Sequence, residues 1–158
     1  MAITERNKKI LIDINYSDRT LRLDSKFINQ GDEIKTFNKT EILKIIKELN
    51  YPCKYLGQGG YDIRRNYQNY SFQLIFVITR NIPLIYIYIY KDDKLLEEDS
   101  PVLVSMYLNH IPYDEKLINN NFQLKSLDEM KEYLKGNLEI FEDYVDEYIK
   151  EIEAGNTP

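Results

Sequence analysis

Residues 70–90 read YSFQLIFVIT-RNIP-LIYIYIY, two apolar runs separated by the break Arg80-Asn81-Ile82-Pro83. A β-strand turns successive side chains to opposite faces. At that period the second run sends Ile85, Ile87 and Ile89 one way and Leu84, Tyr86, Tyr88 and Tyr90 the other. The two runs therefore predict a hairpin, Tyr70–Thr79 against Leu84–Tyr90, with one aliphatic and one phenolic face.

The C-terminal stretch is equally regular at a different period. Ser126 and Glu129 form an S-x-x-E capping box, followed by the stripe Leu127, Met130, Leu134, Leu138, Phe141, Val145, Tyr148 and Ile152. The phase holds across Gly136-Asn137, which predicts one long helix with a weak point, since glycine costs about 1 kcal/mol relative to alanine there. Asn38 and Glu41 cap another helix carrying Ile42, Ile45, Ile46 and Leu49, ended by Asn50-Tyr51-Pro52.

The remaining segments are less regular. Lys9–Asn15 (KILIDIN) alternates as a strand does, and Tyr16-Ser17-Asp18-Arg19 reads as a turn before a short strand Thr20–Leu23. Asn29-Gln30-Gly31-Asp32 is a further turn. Cys53–Leu56 reads as a strand entering the turn Gly57-Gln58-Gly59-Gly60, with Tyr61–Asn69 a polar lead into the hairpin. Lys91–Asp99 (KDDKLLEED) reads as a charged connection, Pro101–Asn109 as a helix by its Ser100-Pro101 start or as a strand by the alternation of Val102, Val104, Met106 and Leu108, and His110–Asn121 as a loop. Strands in the middle with helices on both sides predict a single α+β domain over residues 1–158. It has a mostly antiparallel sheet with a central hairpin, helices packed on one face, and a long C-terminal helix.

Composition narrows the function classes. The chain has 158 residues, 43% hydrophobic and 30% charged, which is enough for a core without disulfides or metal. No apolar run reaches the roughly 20 residues of a membrane helix. The N-terminus, with Glu5 and Asp13 interrupting its apolar residues, does not read as a signal peptide. Cys53 stands alone, which excludes a disulfide framework and suits a reducing, cytoplasmic setting. Ile (21), Lys (15), Asn (14) and Tyr (14) dominate, and all four have AT-rich codons, so nucleotide bias alone supplies many of the tyrosines.

Catalytic constellations are scarce. Gly57-Gln58-Gly59-Gly60 lacks the G-K-[ST] ending of a phosphate loop. His110 is the only histidine, so neither a cofactor nor a metal is expected, and Cys53 beside Pro52 reads as a buried thiol rather than a nucleophile. Asp92, Asp93, Glu97, Glu98 and Asp99 would suit a metal-dependent enzyme only if they converged; a solvated connection is the simpler reading. A net charge of −5 with dispersed basic residues argues against nucleic acid, Arg64-Arg65 being the one adjacent arginine pair.

The acidity is local. Leu138–Glu153 holds seven acids and one base, a net of −6 against −5 for the whole chain, so the remainder sums to +1. On a helix Glu139, Glu142, Asp143, Asp146 and Glu153 fall opposite the apolar stripe. Acids near a helix C-terminus oppose the macrodipole by a few tenths of a kcal/mol each. The expectation is a docking face for a basic partner, with Glu139, Glu142, Asp143, Asp146 and Glu147 steering association. Tyr86, Tyr88 and Tyr90 would serve as anchors. In size, acidity and element order the chain is similar to immunity proteins and to secretion chaperones. It reads as a non-catalytic protein that neutralises a cognate protein, an immunity protein or antitoxin above all. A chaperone-like binder, a metal enzyme using residues 92–99, and a homodimer formed through the tyrosine face are the alternatives.

Overall fold

The computed structural model describes residues 4–27, 36–79, 82–99 and 124–156. The described residues form an α+β structure: three helices, five strands and a long final helix. The strands are β1 (Lys54–Gly57), β2 (Gly60–Tyr67), β3 (Tyr70–Thr79), β4 (Ile82–Lys91) and β5 (Lys94–Asp99). They form one sheet in the order of the chain, every neighbour antiparallel.

The hairpin pairs as its alternation requires. Phe72 lies opposite Ile89, Leu74 opposite Ile87, and Phe76 opposite Ile85, all buried on one face. The sheet is wider than the sequence suggests. Tyr61–Asn69 is not a polar lead: Tyr61, Ile63, Arg65 and Tyr67 alternate on the inner face of β2, the first two buried, the last two half-buried. Nor is Lys91–Asp99 a mere connection. Asp92 and Asp93 take positive φ angles of 50° and 62°, the geometry of a two-residue type I′ hairpin turn, and the chain returns as β5. At the β1–β2 turn Gly59 has φ +80°, and a Cβ there would stand 2.5 Å from the Ile78 carbonyl oxygen, so only glycine fits.

The N-terminal segment is helical, where alternation predicts strands. Helix α1 is Glu5–Asp13 and α2 is Tyr16–Ser25. KILIDIN satisfies both periods, and the deciding residue is polar: Asn7, Ile10, Leu11 and Ile14 make the buried helical stripe, leaving Ile12 exposed. In α2 the buried stripe is Tyr16, Thr20, Leu23 and Asp24, half of it polar, with the Tyr133 hydroxyl donating to Asp24 at 3.1 Å. Thr4 caps α1 by accepting from the Asn7 amide, and Asn15, at φ 57°, makes the bend between the two helices. The predicted turn at 29–32, helix at 101–109 and loop at 110–121 lie outside the described residues.

Helix α3 (Lys39–Glu48) starts at the Asn38–Glu41 capping box, both reciprocal bonds present. Helix α4 (Leu127–Glu153) is continuous through Gly136. That glycine has a steric reason: a Cβ there would meet both Leu23 methyls at 2.7 Å, so α2 seats against α4 at this point. The core lies between α4 and the aliphatic face of the sheet, with the Phe72 and Tyr148 rings edge to face at 5.5 Å. Helices α1, α2 and α3 all pack on α4. A buried ion pair fixes α1 to β5: Glu97 accepts from Arg6 at 2.9 Å and from Thr4 at 2.8 Å, and Arg6 also donates to the Tyr148 hydroxyl at 3.1 Å.

Candidate functional site

The acids of α4 point outward, but few are free. Asp143 and Asp146 are each 54% exposed, while Glu142 and Glu147 are half-buried. Arg65, reaching from the inner face of β2, bridges Glu142 at 2.5 Å and Asp146 at 2.8 Å. Arg19 of α2 meets Asp143 at 2.7 Å, Lys150 meets Glu147 at 2.7 Å, and Lys9 meets Glu151 at 3.4 Å. Glu153 accepts from the Tyr67 hydroxyl at 3.0 Å. Burial, then the charge of Glu142 and a hydrogen bond to it, push the Tyr51 hydroxyl up to about 12. Glu139 alone in this series has no ion pair or hydrogen bond among the described residues.

These contacts explain an acid run that opposes its own helix dipole. The acids are the counter-charges through which α1, α2 and β2 are registered on α4. Half-exposed pairs of this kind contribute at most about 1 kcal/mol each. They do, however, cancel much of the field that a docking face would project. A groove of about 410 Å³ opens beside Asp13, Arg19, Asp143, Asp146, Glu147 and Lys150, and its charges are largely matched within the chain.

The tyrosine row lies on the other side of the sheet. Because Arg65, Phe72 and Ile89 stand in one inward row, Tyr86, Tyr88 and Tyr90 point away from α4. The two groups expected to serve one surface, Glu139–Glu147 and Tyr86–Tyr90, are thus on opposite sides of the sheet. The three phenol rings run along β4 with centroids 6.3 and 6.5 Å apart, half-buried against one another. Ile75 and Val77 flank them, Leu84 is 43% exposed, and Leu95 on β5 is 47% exposed opposite Tyr90. Arg64, Gln73, Tyr88 and Glu98 form one row across four strands. Burial, then the charge of Glu98, raise the Tyr88 hydroxyl above its usual range.

The acidic segment 92–99 does not converge. Asp92 and Asp93 form the turn, Asp92 accepting from the Asn69 side chain at 2.9 Å. Glu97 points inward to Arg6, and Glu98 pairs across from Tyr88 on the outer face. No three His, Cys, Asp or Glu side chains gather at metal-binding spacing among the described residues. Cys53 is half-buried, and burial, then the charge of Asp62, push its thiol up to about 11, which leaves it a weak nucleophile. No described helix is long and apolar enough to cross a membrane.

Sequence reasoning missed Asp62, Arg64, Gln73, Ile75 and Val77 as members of the outer face. The alternation of β2 would have found the first two, had Arg65 been recognised as an inward-facing residue. No family model, no curated protein and no solved structure matches the chain.

Proposed function

We propose that this chain is a non-catalytic binding protein that neutralises a cognate protein partner, in the manner of an immunity protein, and that the outer face of the sheet is its contact surface. One observation carries the choice of surface. On that side three tyrosines, Ile75, Val77 and Leu84 are partly exposed together, whereas the acids of α4 are mostly spent on Arg19, Arg65, Lys9 and Lys150. Tyrosine suits such a role because it offers large area with few rotatable bonds and a hydroxyl for the wet rim. A rigid antiparallel sheet holds the rings in fixed spacing, so little order has to be imposed on binding.

The test is co-expression with the product of the neighbouring gene, followed by measurement of the complex by calorimetry. Tyr86→Ser with Tyr88→Ser is expected to weaken binding by tenfold or more, the range of anchor residues that contribute about 2 kcal/mol. Asp143→Lys with Asp146→Lys is expected to change the on-rate at low salt by less than threefold. The opposite ranking would move the surface to α4. A tyrosine face that instead joins two copies would appear as concentration-dependent sedimentation of the chain alone.

A further inference from the structure

A cleft of about 480 Å³ opens on the outer side of the sheet at the start of β1, lined by Pro52, Cys53, Lys54, Asp62 and Arg64. Asp62 lies directly across from Lys54 on one side and Ile75 on the other. Its side chain is only 3% exposed. Its Oδ2 accepts from Arg64 Nε at 3.0 Å, while Oδ1 is buried and accepts no hydrogen bond among the described residues. A buried carboxylate oxygen without a donor is rare in folded proteins, because its lost hydration is not replaced.

The surroundings define what would complete it. Arg64 is half-exposed and spends its Nε on Asp62, and its further guanidinium N–H groups make no hydrogen bond among the described residues. Lys54 is exposed and makes no ion pair among the described residues. The Cys53 thiol, held protonated by burial and by Asp62, brings no charge at neutral pH. The cleft therefore combines one unfilled acceptor with two cations that a single carboxylate does not balance. An amine alone would meet like charge at Lys54 and Arg64. A carboxylate alone would leave Asp62 Oδ1 without a donor.

We propose that this cleft binds a group carrying a hydrogen-bond donor and a carboxylate on neighbouring atoms, the chemistry shared by a free α-amino acid and the C-terminal residue of a peptide. The ammonium or amide N–H donates to Asp62 Oδ1. The carboxylate accepts from the Lys54 ammonium and from the guanidinium N–H groups that Arg64 has left. The site lies on the same outer face as the tyrosine row, two strands from Tyr88 across Gln73, and does not depend on the neutralising role.

The test is a titration of the full ¹⁵N-labelled chain with glycine, N-acetylglycine, glycinamide and acetate, followed through the backbone amide resonances. Saturable shifts at Cys53, Lys54 and residues 62–64 are expected with glycine or N-acetylglycine. Glycine alone would mark a free amino acid as the ligand, and N-acetylglycine a chain terminus. Asp62→Asn and Arg64→Gln should each weaken the response at least tenfold, with the amide dispersion of each variant showing that it is folded; Lys54→Gln, at an exposed residue with no ion pair among the described residues, should weaken it as well. Absence of a saturable shift with either ligand would overturn the proposal. So would an equal response to glycinamide or acetate, or an Arg64→Gln chain that binds as tightly as the parent.

Discussion

Strand β4 presents two faces built from alternate residues of one heptapeptide, and they meet different fates. Ile85, Ile87 and Ile89 are at most 7% exposed, closed over with Phe72, Leu74 and Phe76 beneath α4. Tyr86, Tyr88 and Tyr90, displaced by a single residue, cover one another and remain half-open. The difference lies less in side-chain size than in what the next layer supplies. One face has a helix whose apolar stripe matches it; on the other, no described helix packs over the rings. A strand that alternates aliphatic and aromatic residues can therefore carry the core on one side and a recognition surface on the other.

The sharpest way to break this contrast is to place the same charge on each face. Ile87→Asp buries a carboxylate with no partner and should cost about 4 kcal/mol or more, unfolding a domain of ordinary stability. Tyr88→Asp, one residue on, loses a half-buried ring and faces Glu98, and should cost about 2 kcal/mol, well short of the loss on the inner face. Urea denaturation of the two variants measures the gap, and equal losses would show that the tyrosine side is also core.

A smaller effect comes from alkaline pH. Burial, then the neighbouring Tyr55 and Cys53 groups, push the Tyr61 hydroxyl on the covered face from 10.0 up to about 12. The folded chain then holds that proton more tightly than the unfolded chain. The associated stability is complete below pH 10 and is lost as the pH rises from about 10 towards 12. Tyr61→Phe should flatten the fall of the urea midpoint over that window; an unchanged slope would assign the alkaline loss elsewhere.

The smallest effect is expected at Gly136. Replacing a mid-helix glycine by alanine ordinarily gains about 1 kcal/mol. Here the new methyl would displace the buried Leu23 side chain, so Gly136→Ala should leave the thermal midpoint unchanged or slightly lower. A full gain would mean that α2 is not seated on α4 as described.

The hairpin and the long helix were legible because their apolar periods run unbroken, and α3 because its capping box and stripe agree. The helices α1 and α2 were not, since Asn7, Thr20 and Asp24 occupy positions of the buried stripe and leave only an ambiguous alternation to read. Strand β2 was hidden for the same reason, with Arg65 inward and Asp62 buried outward. Of the expected contact residues, the tyrosines share one face of the sheet, as their alternation predicts, but alternation does not say what covers that face. The acids were recognised as outward, but not as paired, because Arg65 lies 77 residues from Glu142 and no local rule links them.

The placement of α4 also orders assembly. The sheet is a meander in which every strand pairs with its neighbour in sequence, so it can zip through short loops at little entropic cost. Its aliphatic face and the helices α1, α2 and α3 must all wait for the last described element of the chain before they find their common support. A chain whose α4 is undocked leaves the isoleucine and phenylalanine rows without that cover, so loss of this one helix from its seat exposes apolar strands of the kind that draw other chains into aggregates.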